Sequence, residues 1–353
     1  MSSLNQPPSG EMAIAEETLG IGEFAGLAPT DANLPPGIGP YALAWRRLRR
    51  NRVALAFGGL FLLIVVLCLL APVYSHDIAH LGPDNTSQAF NTLSADGVPE
   101  GPTWHSQFFL GADENGRDVA VRLLYGGRNS LLVGTLAMMI TIVLATMLGI
   151  IAGYFRGPLD GLLTRIFELI WAYPVLLLGV ALGVSLQVGG LDLGLFKLQG
   201  GSLVLLSVII GVVYIPYVAK PIRAQVVTLR EREFVDAARQ QGLSSVRIMF
   251  SEILPNVAST IIVFVPLMLA NSIILEAGLS YLGAGVQPPS PSWGTMLAEG
   301  IQLAPAALHL TLVPGIMLVL CVLGVNVFGD GVRDAFDPRS QIKLPSRLGA
   351  RRR

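Results

Sequence analysis

Long stretches without a charged residue alternate along the chain with short segments rich in charge. The uncharged, mostly apolar runs cover 53–75, 129–155, 169–191, 198–219, 253–275 (flanked by Glu252 and Glu276) and 300–329. Each reaches the roughly 20 residues a helix needs to cross about 30 Å of hydrocarbon. A further quiet stretch, 277–298, contains Pro288, Pro289 and Pro291 in the run QPPSPSWG. It reads as the end of span five followed by a loop, because proline interrupts helix hydrogen bonding. The pattern therefore predicts an all-α membrane protein with six transmembrane helices.

Composition agrees. Of 353 residues, 52% are apolar and 14% charged, and the mean hydropathy is +0.60. A soluble domain carries about a quarter charged residues, so an ordinary globular protein is excluded. The two cysteines, Cys68 and Cys321, both fall within apolar runs, which leaves no disulfide framework and no CxxC site.

Net charge is zero, but its distribution along the chain is uneven. With the N-terminus placed in the cytoplasm, 20 of the 24 Lys and Arg residues fall on that side. Only Arg117, Arg122, Arg128 and Lys197 lie outside. The bias predicts that both termini are cytoplasmic. Residues 1–40 hold five acids, no base and much Pro, Gly and Ser, the composition of a disordered tail. They lack the basic start and short apolar core of a signal peptide. The expected organisation is this tail, a basic segment with the first span (41–75), an outer loop (76–128), a core of five spans (129–330) and a basic tail (331–353).

The inner segment 220–256 is long, polar and helical in pattern. Glu233 to Gln241 suits a helix, and Gly242 stands where a left-handed C-cap falls. Ser244 can cap a second helix in which Leu243, Val246 and Phe250 recur with helical spacing. Pro255 stands where the next helix begins. Two such short helices cannot form a core alone, so their apolar faces need either the membrane interface or a partner protein.

At this point the residues resemble a known family. Asp236-Ala237-Ala238, Gly242 and Leu254-Pro255 look like the EAA loop of ABC-importer permeases, with Asp236 in place of the usual Glu and Glu252 at the first Ile of its I-x-L-P element. Phe109-Leu110-Gly111-Ala112-Asp113-Glu114-Asn115-Gly116-Arg117-Asp118 with Leu124-Tyr125-Gly126-Gly127-Arg128 resembles the segment before span two of dipeptide and oligopeptide permeases. Leu275-Glu276-Ala277, Ser280-Tyr281-Leu282-Gly283 and Ser292-Trp293-Gly294 are similar to their span-five exit, and Gly329–Asp334 with Asp337-Pro338-Arg339 to their C-terminal end. In order over about 105–340, these segments resemble the C-type permease subunit of the peptide/nickel group of bacterial ABC importers.

The resemblance implies the type I permease fold, a bacterial inner membrane and a non-catalytic role in moving dipeptides or oligopeptides. Nickel or another small solute is the alternative cargo. It implies four partners besides the bilayer: a second permease, two cytoplasmic ATPases and an extracytoplasmic binding protein, with no nucleic acid. ATP and Mg would be held by the ATPases, since the chain has no Gly-Lys dipeptide and hence no phosphate-binding P-loop. The resemblance assigns ATPase coupling to Glu233, Asp236, Ala237, Ala238, Gly242, Leu254 and Pro255.

Other residues carry open readings. Glu276, and more weakly Asn271, either face the translocation path or make structural hydrogen bonds near the outer rim. Gly149 and Gly153 permit close helix packing, and Pro174 is expected to kink span three. Trp293 is expected to be an interfacial anchor, with an outer-mouth or binding-protein contact as the alternative. His76 and His80 have metal-ligand spacing but no third ligand, and Asp113–Gly116 reads as a turn rather than a calcium loop. A secondary carrier would need buried charge pairs or an inverted repeat, and an intramembrane hydrolase a nucleophile with a base. The sequence shows neither.

Overall fold

Apolar helices that must hide their backbone from lipid can only pair side by side, and the arrangement here is set by where small residues let them approach. The computed structural model describes residues 40–85, 99, 101–103, 108–192, 194 and 197–336. The expected tail 1–40, apart from Pro40, and the segment 337–353 with Asp337-Pro338-Arg339 lie outside the described residues. The described residues from Ala44 onward belong to one compact unit. Of the unit before it, only 40–43 are described, as the first turn of a helix.

The helices in chain order are α1 (Pro40–Arg50), α2 (Arg52–Leu69), α3 (Val119–Tyr154), α4 (Pro158–Trp171), α5 (Val175–Gly189), α6 (Leu203–Val213), α7 (Ile215–Leu229), α8 (Glu233–Gln240), α9 (Ser245–Ile248), α10 (Leu254–Tyr281), α11 (Trp293–Gln302) and α12 (His309–Phe336). A two-stranded antiparallel ribbon, β1 (Leu191–Asp192) and β2 (Lys197–Leu198), joins α5 to α6, with Leu191 opposite Leu198. Among the described residues four helices are long and apolar enough to cross a membrane, and counting each of two bent pairs, α4–α5 and α6–α7, as one span gives six. The fold is the six-span all-α architecture expected.

α3 is the central helix and packs against α2, α6, α7 and α10. Its GxxxG pair makes the approach to α7 possible: a Cβ on Gly149 would lie 2.9 Å from the Ala219 carbonyl oxygen, and one on Gly153 2.8 Å from that of Arg223. The buried face of α7 is Val218, Ala219, Ile222 and Val226. On the flank, α2 packs with α12, and both turn residues such as Leu62, Leu63, Val66, Ile316, Val319 and Leu323 outward, as a lipid-facing surface requires.

The span boundaries need correcting, since absence of charge marks hydrocarbon depth and not helix ends. α3 starts at Val119 rather than 129, so the expected loop 76–128 ends ten residues early. The helix carries Arg122 because Asp113 and Glu299 pair with it at 3.4 and 2.8 Å. Span three breaks by 91° between Trp171 and Val175, at Pro174, a sharper feature than the expected kink. Span four bends by 42° after Val213. Span five does not start at 253: α9, a wide π turn (Met249–Ile253) and α10 form one continuous run from Ser245 to Tyr281. Pro255 has no N–H for the carbonyl four residues back, and the wide turn accommodates that gap. Span six begins at His309, and the run read as a loop contains a separate helix, α11.

Candidate functional site

The residues singled out by sequence gather at the two ends of α3. At the end carrying Tyr154, α8 begins with Glu233 and Asp236 in its first turn, where acidic groups complement the free amides. Val235 and Ala238 are buried in a core with Phe167, Ile248 and Met249. Glu233, Phe234, Asp236 and Ala237 face outward. Ala238, expected among the partner contacts, thus packs inward, because it shares the helix face of Val235. Gly242 has φ +78°. Leu243 N–H donates to the Ala238 carbonyl at 3.2 Å and Gly242 N–H to that of Arg239 at 2.9 Å, the paired bonds of a left-handed glycine cap. Ser244 then caps α9, accepting from Arg247 N at 3.4 Å. Val246 and Phe250 stand exposed while Leu243 is half-buried. Pro255 is exposed, and Leu254, half-buried, joins Val246, Met249, Phe250 and Thr146, Met147, Ile150 and Ile151 of α3 in lining an apolar groove of about 260 Å³.

Sequence reasoning missed what ties α8 to α3. Arg230 is buried, and its Nη1 donates to the carbonyls of Gly153 at 2.8 Å and Tyr154 at 3.4 Å, closing the C-terminal end of α3. Arg239 of α8 stacks over the Tyr154 ring, 5.6 Å from its centroid, and bonds Asp236 at 3.1 Å. Arg156 pairs with Glu231. These six side chains line a polar cavity of about 400 Å³. In the sequence the arginines register only as topology charge, and no local signal links them to Tyr154.

At the opposite end, the quoted motif segments meet. Trp293 is fully buried, with its indole Nε1 donating to the Leu123 carbonyl at 3.1 Å. A Cβ on Gly127 would lie 2.4 Å from Cys68 Sγ and 2.6 Å from the indole, so this glycine makes room for the ring. The expectation of an interfacial anchor or outer-mouth contact is therefore corrected: α11 folds back against α3 and carries Trp293 into the core. Glu276 is also fully buried. Ser280 Oγ donates to its Oε1 at 2.7 Å and accepts from Val286 N at 3.0 Å. The hydroxyls of Ser130 and Ser292 interact with the same carboxyl group. Each of these also accepts a backbone amide, Trp293 N at 3.3 Å and Thr295 N at 3.1 Å respectively. Of its two readings, Glu276 takes the structural one here. Asn271 remains half-exposed, and its carbonyl accepts from the Tyr214 hydroxyl at 3.3 Å.

The loop before α3 is held by charge. Asp113 accepts Asn115 N and Arg117 N at 2.9 Å each and pairs with Arg117 Nε at 2.6 Å, while Arg117 and Arg122 both reach Glu299 of α11. Asp113–Gly116 is the expected turn, with Gly116 N–H on the Asp113 carbonyl at 3.0 Å. Asp118 caps α3, accepting from Ala120 N at 2.7 Å and Val121 N at 3.2 Å, and burial pushes its carboxyl up from the ordinary range. His76 sits in a π turn with Nδ1 2.5 Å from Asp77 Oδ1, and His80 ends it at φ +54°. The described residues hold no cluster of three or more His, Cys, Asp and Glu suited to a metal ion.

Two family models match the chain. Residues 145–342 match the binding-protein-dependent transport system inner membrane component, and residues 39–92 the N-terminal transmembrane domain of oligopeptide transport permease C. The chain is 34% identical to the dipeptide transport system permease of Alkalihalophilus pseudofirmus, covering 89% of this chain and 96% of that one. It is 34% identical to the glutathione transport system permease of Pectobacterium atrosepticum (85% and 91% covered). It is also 34% identical to the di/tripeptide transport system permease of Pseudomonas aeruginosa (84% and 91%). Among solved structures, an inward-facing MetNI methionine ABC transporter matches with a TM-score of 0.48 at 18% identity, covering 61% of this chain and 96% of that one.

Proposed function

The chain belongs to the family of binding-protein-dependent transport system inner membrane components, and from that premise we propose that it is the permease subunit of an ATP-driven importer of short peptides. Three of its relatives are named for dipeptides, di/tripeptides and glutathione, all short peptides or peptide-like acids. The observation that carries the mechanism is the exposed α8–α9 pair. Its outer face (Glu233, Phe234, Asp236, Ala237) is exposed among the described residues, and its inner face is held by Val235 and Ala238 in the core and by Arg239 over the Tyr154 ring of α3. Such a rigid lever suits docking to an ATPase that supplies ATP and Mg chemistry, which this chain does not perform.

In this reading both termini and α8–α9 face the cytoplasm, as the positions of Lys and Arg require. A second permease completes the path, a binding protein delivers cargo to the Trp293 end, and ATPase closure rocks the two permeases between inward and outward access. The test is a mild-detergent purification of the tagged chain from its native membrane, with stoichiometric partners identified by mass spectrometry. Recovery of a P-loop ATPase and a second permease supports the reading. Recovery of the chain alone, or as a homo-oligomer, sinks it.

A further inference from the structure

The helix before the first span faces two ways. Residues four apart on α1 share a side, one turn from each other. Ala44 and Leu48 form the inward row, buried in one cluster with Ala54, Val332 and Ala335. Gly331 of α12 makes that seat possible, since a Cβ there would collide with the Ala54 side chain and lie 3.5 Å from Leu48 Cδ1. Arg47 Nη1 adds a bond to the Ala335 carbonyl at 3.4 Å. The rows Trp45–Arg49 and Arg46–Arg50 turn away from the bundle and are exposed. The Arg49 guanidinium stands 4.9 Å from the centroid of the Trp45 ring.

Asn51 alone separates α1 from α2, and its side chain caps that span by accepting from Ala54 N at 3.1 Å. Arg46 is five residues back, at most about 8 Å of helix. The exposed arginines therefore stay within about one Debye length of the span's start, in whichever direction α1 points. Chain connectivity thus puts them at the membrane surface. Arg46, Arg49, Arg50 and the exposed Arg52 pair with no carboxylate among the described residues. Asp330 and Asp334, on the adjoining end of α12, are exposed and bond none of them. A topology signal needs only the charges. It does not need them folded against α12 with an exposed indole stacked on one of them. Arginines and an indole on the outer side of an interfacial helix are the make-up of a surface for anionic lipid.

We propose that the outer face of α1 binds the phosphate of an anionic phospholipid. Arg46, Arg49 and Arg50 hold the headgroup, and the apolar body of Trp45 lies at the boundary with the acyl chains. The leaflet is the cytoplasmic one in the reading above. The lipid site itself depends on neither the cargo nor the ATPase partners, and neither the family models nor the relatives' names assign it.

The test uses the assembled transporter in phosphatidylcholine nanodiscs that carry about one lipid in ten brominated in its acyl chains, a quencher of tryptophan on contact. Subtracting the signal of Trp45→Phe isolates the quenching at Trp45. Brominated phosphatidylglycerol should quench Trp45 about threefold more than brominated phosphatidylcholine, and about 0.5 M salt should erase the difference. The triple variant Arg46→Gln, Arg49→Gln, Arg50→Gln should lose the preference, and the corresponding triple lysine variant should keep most of it. Should the glutamine variant fail to assemble, the salt and lipid comparisons on the wild type still decide. Equal quenching by the two lipids overturns the headgroup site, leaving an unselective interfacial helix. No quenching by either overturns it by showing Trp45 covered by protein or held off the membrane. Loss of the preference to free glycerol phosphate at equal ionic strength overturns it in favour of a soluble anion. Both leaflets carry the brominated lipid, so the result is independent of the orientation of the chain.

Discussion

Replacing Gly242 separates backbone geometry from every other feature of the α8–α9 pair. Its φ of +78° lies in the left-handed region, where a residue with a Cβ costs about 1–2 kcal/mol, with Asn the least penalised. A β-branched side chain is the worst case. No atom lies within 4 Å of a Cβ built at this position, so crowding adds nothing and the whole cost falls on the turn. A loss of one to two kcal/mol shifts the balance between this turn and any other geometry by a factor of about 5–30. The turn is exposed and beyond the spans, so membrane insertion should be untouched. Gly242→Val should therefore cut peptide uptake per ATP hydrolysed by at least about fivefold, with Gly242→Ala milder and Gly242→Asn near wild type. Reconstituted transport with simultaneous phosphate release measures this. Normal coupling in Gly242→Val would refute the assignment of the turn to force transmission. Equal failure of Asn and Val would show that the space around the glycine matters rather than its φ.

Other outcomes follow from the same geometry. Arg239→Ala and Tyr154→Leu should each lower transport per ATP, because they cut the contact that joins α8 to α3; transport measured against ATP turnover decides it. Trp293→Ala should cost about 3–5 kcal/mol, the usual loss for emptying a fully buried aromatic site, and Gly127→Ala about 1–3 kcal/mol from overpacking. Both appear as lower melting temperatures of the purified complex. Asp118→Ala should lose about 1 kcal/mol with its helix cap. Asp118→Asn should be neutral or mildly stabilising: burial raises the folded-state pKa of this carboxyl above its unfolded value, so its ionisation works against the fold as pH rises, and Asn keeps the acceptor without the charge. The same melting assay separates the two.

Features that depend only on neighbours in the chain were legible in the sequence. Charge is costly in lipid, so the charge-free runs located the apolar stretch of each of the six candidate spans. A glycine after nine helix-compatible residues specified the left-handed cap at Gly242, and Ser244 the helix after it. Tertiary structure decided what depends on distant partners. Arg122 lies inside α3, although charge seemed to end the span there, because α11 and the loop before α3 bring Glu299 and Asp113 to it. Trp293 is in the core because Gly127 leaves a space that local pattern cannot register. Arg230 and Tyr154, or Lys220 and Trp171, share no sequence period and meet only once their helices pack. Local hydrogen bonding and transfer from water act on short segments and so are written in the sequence; compensation of a buried charge, and room for a buried ring, are properties of the packed bundle.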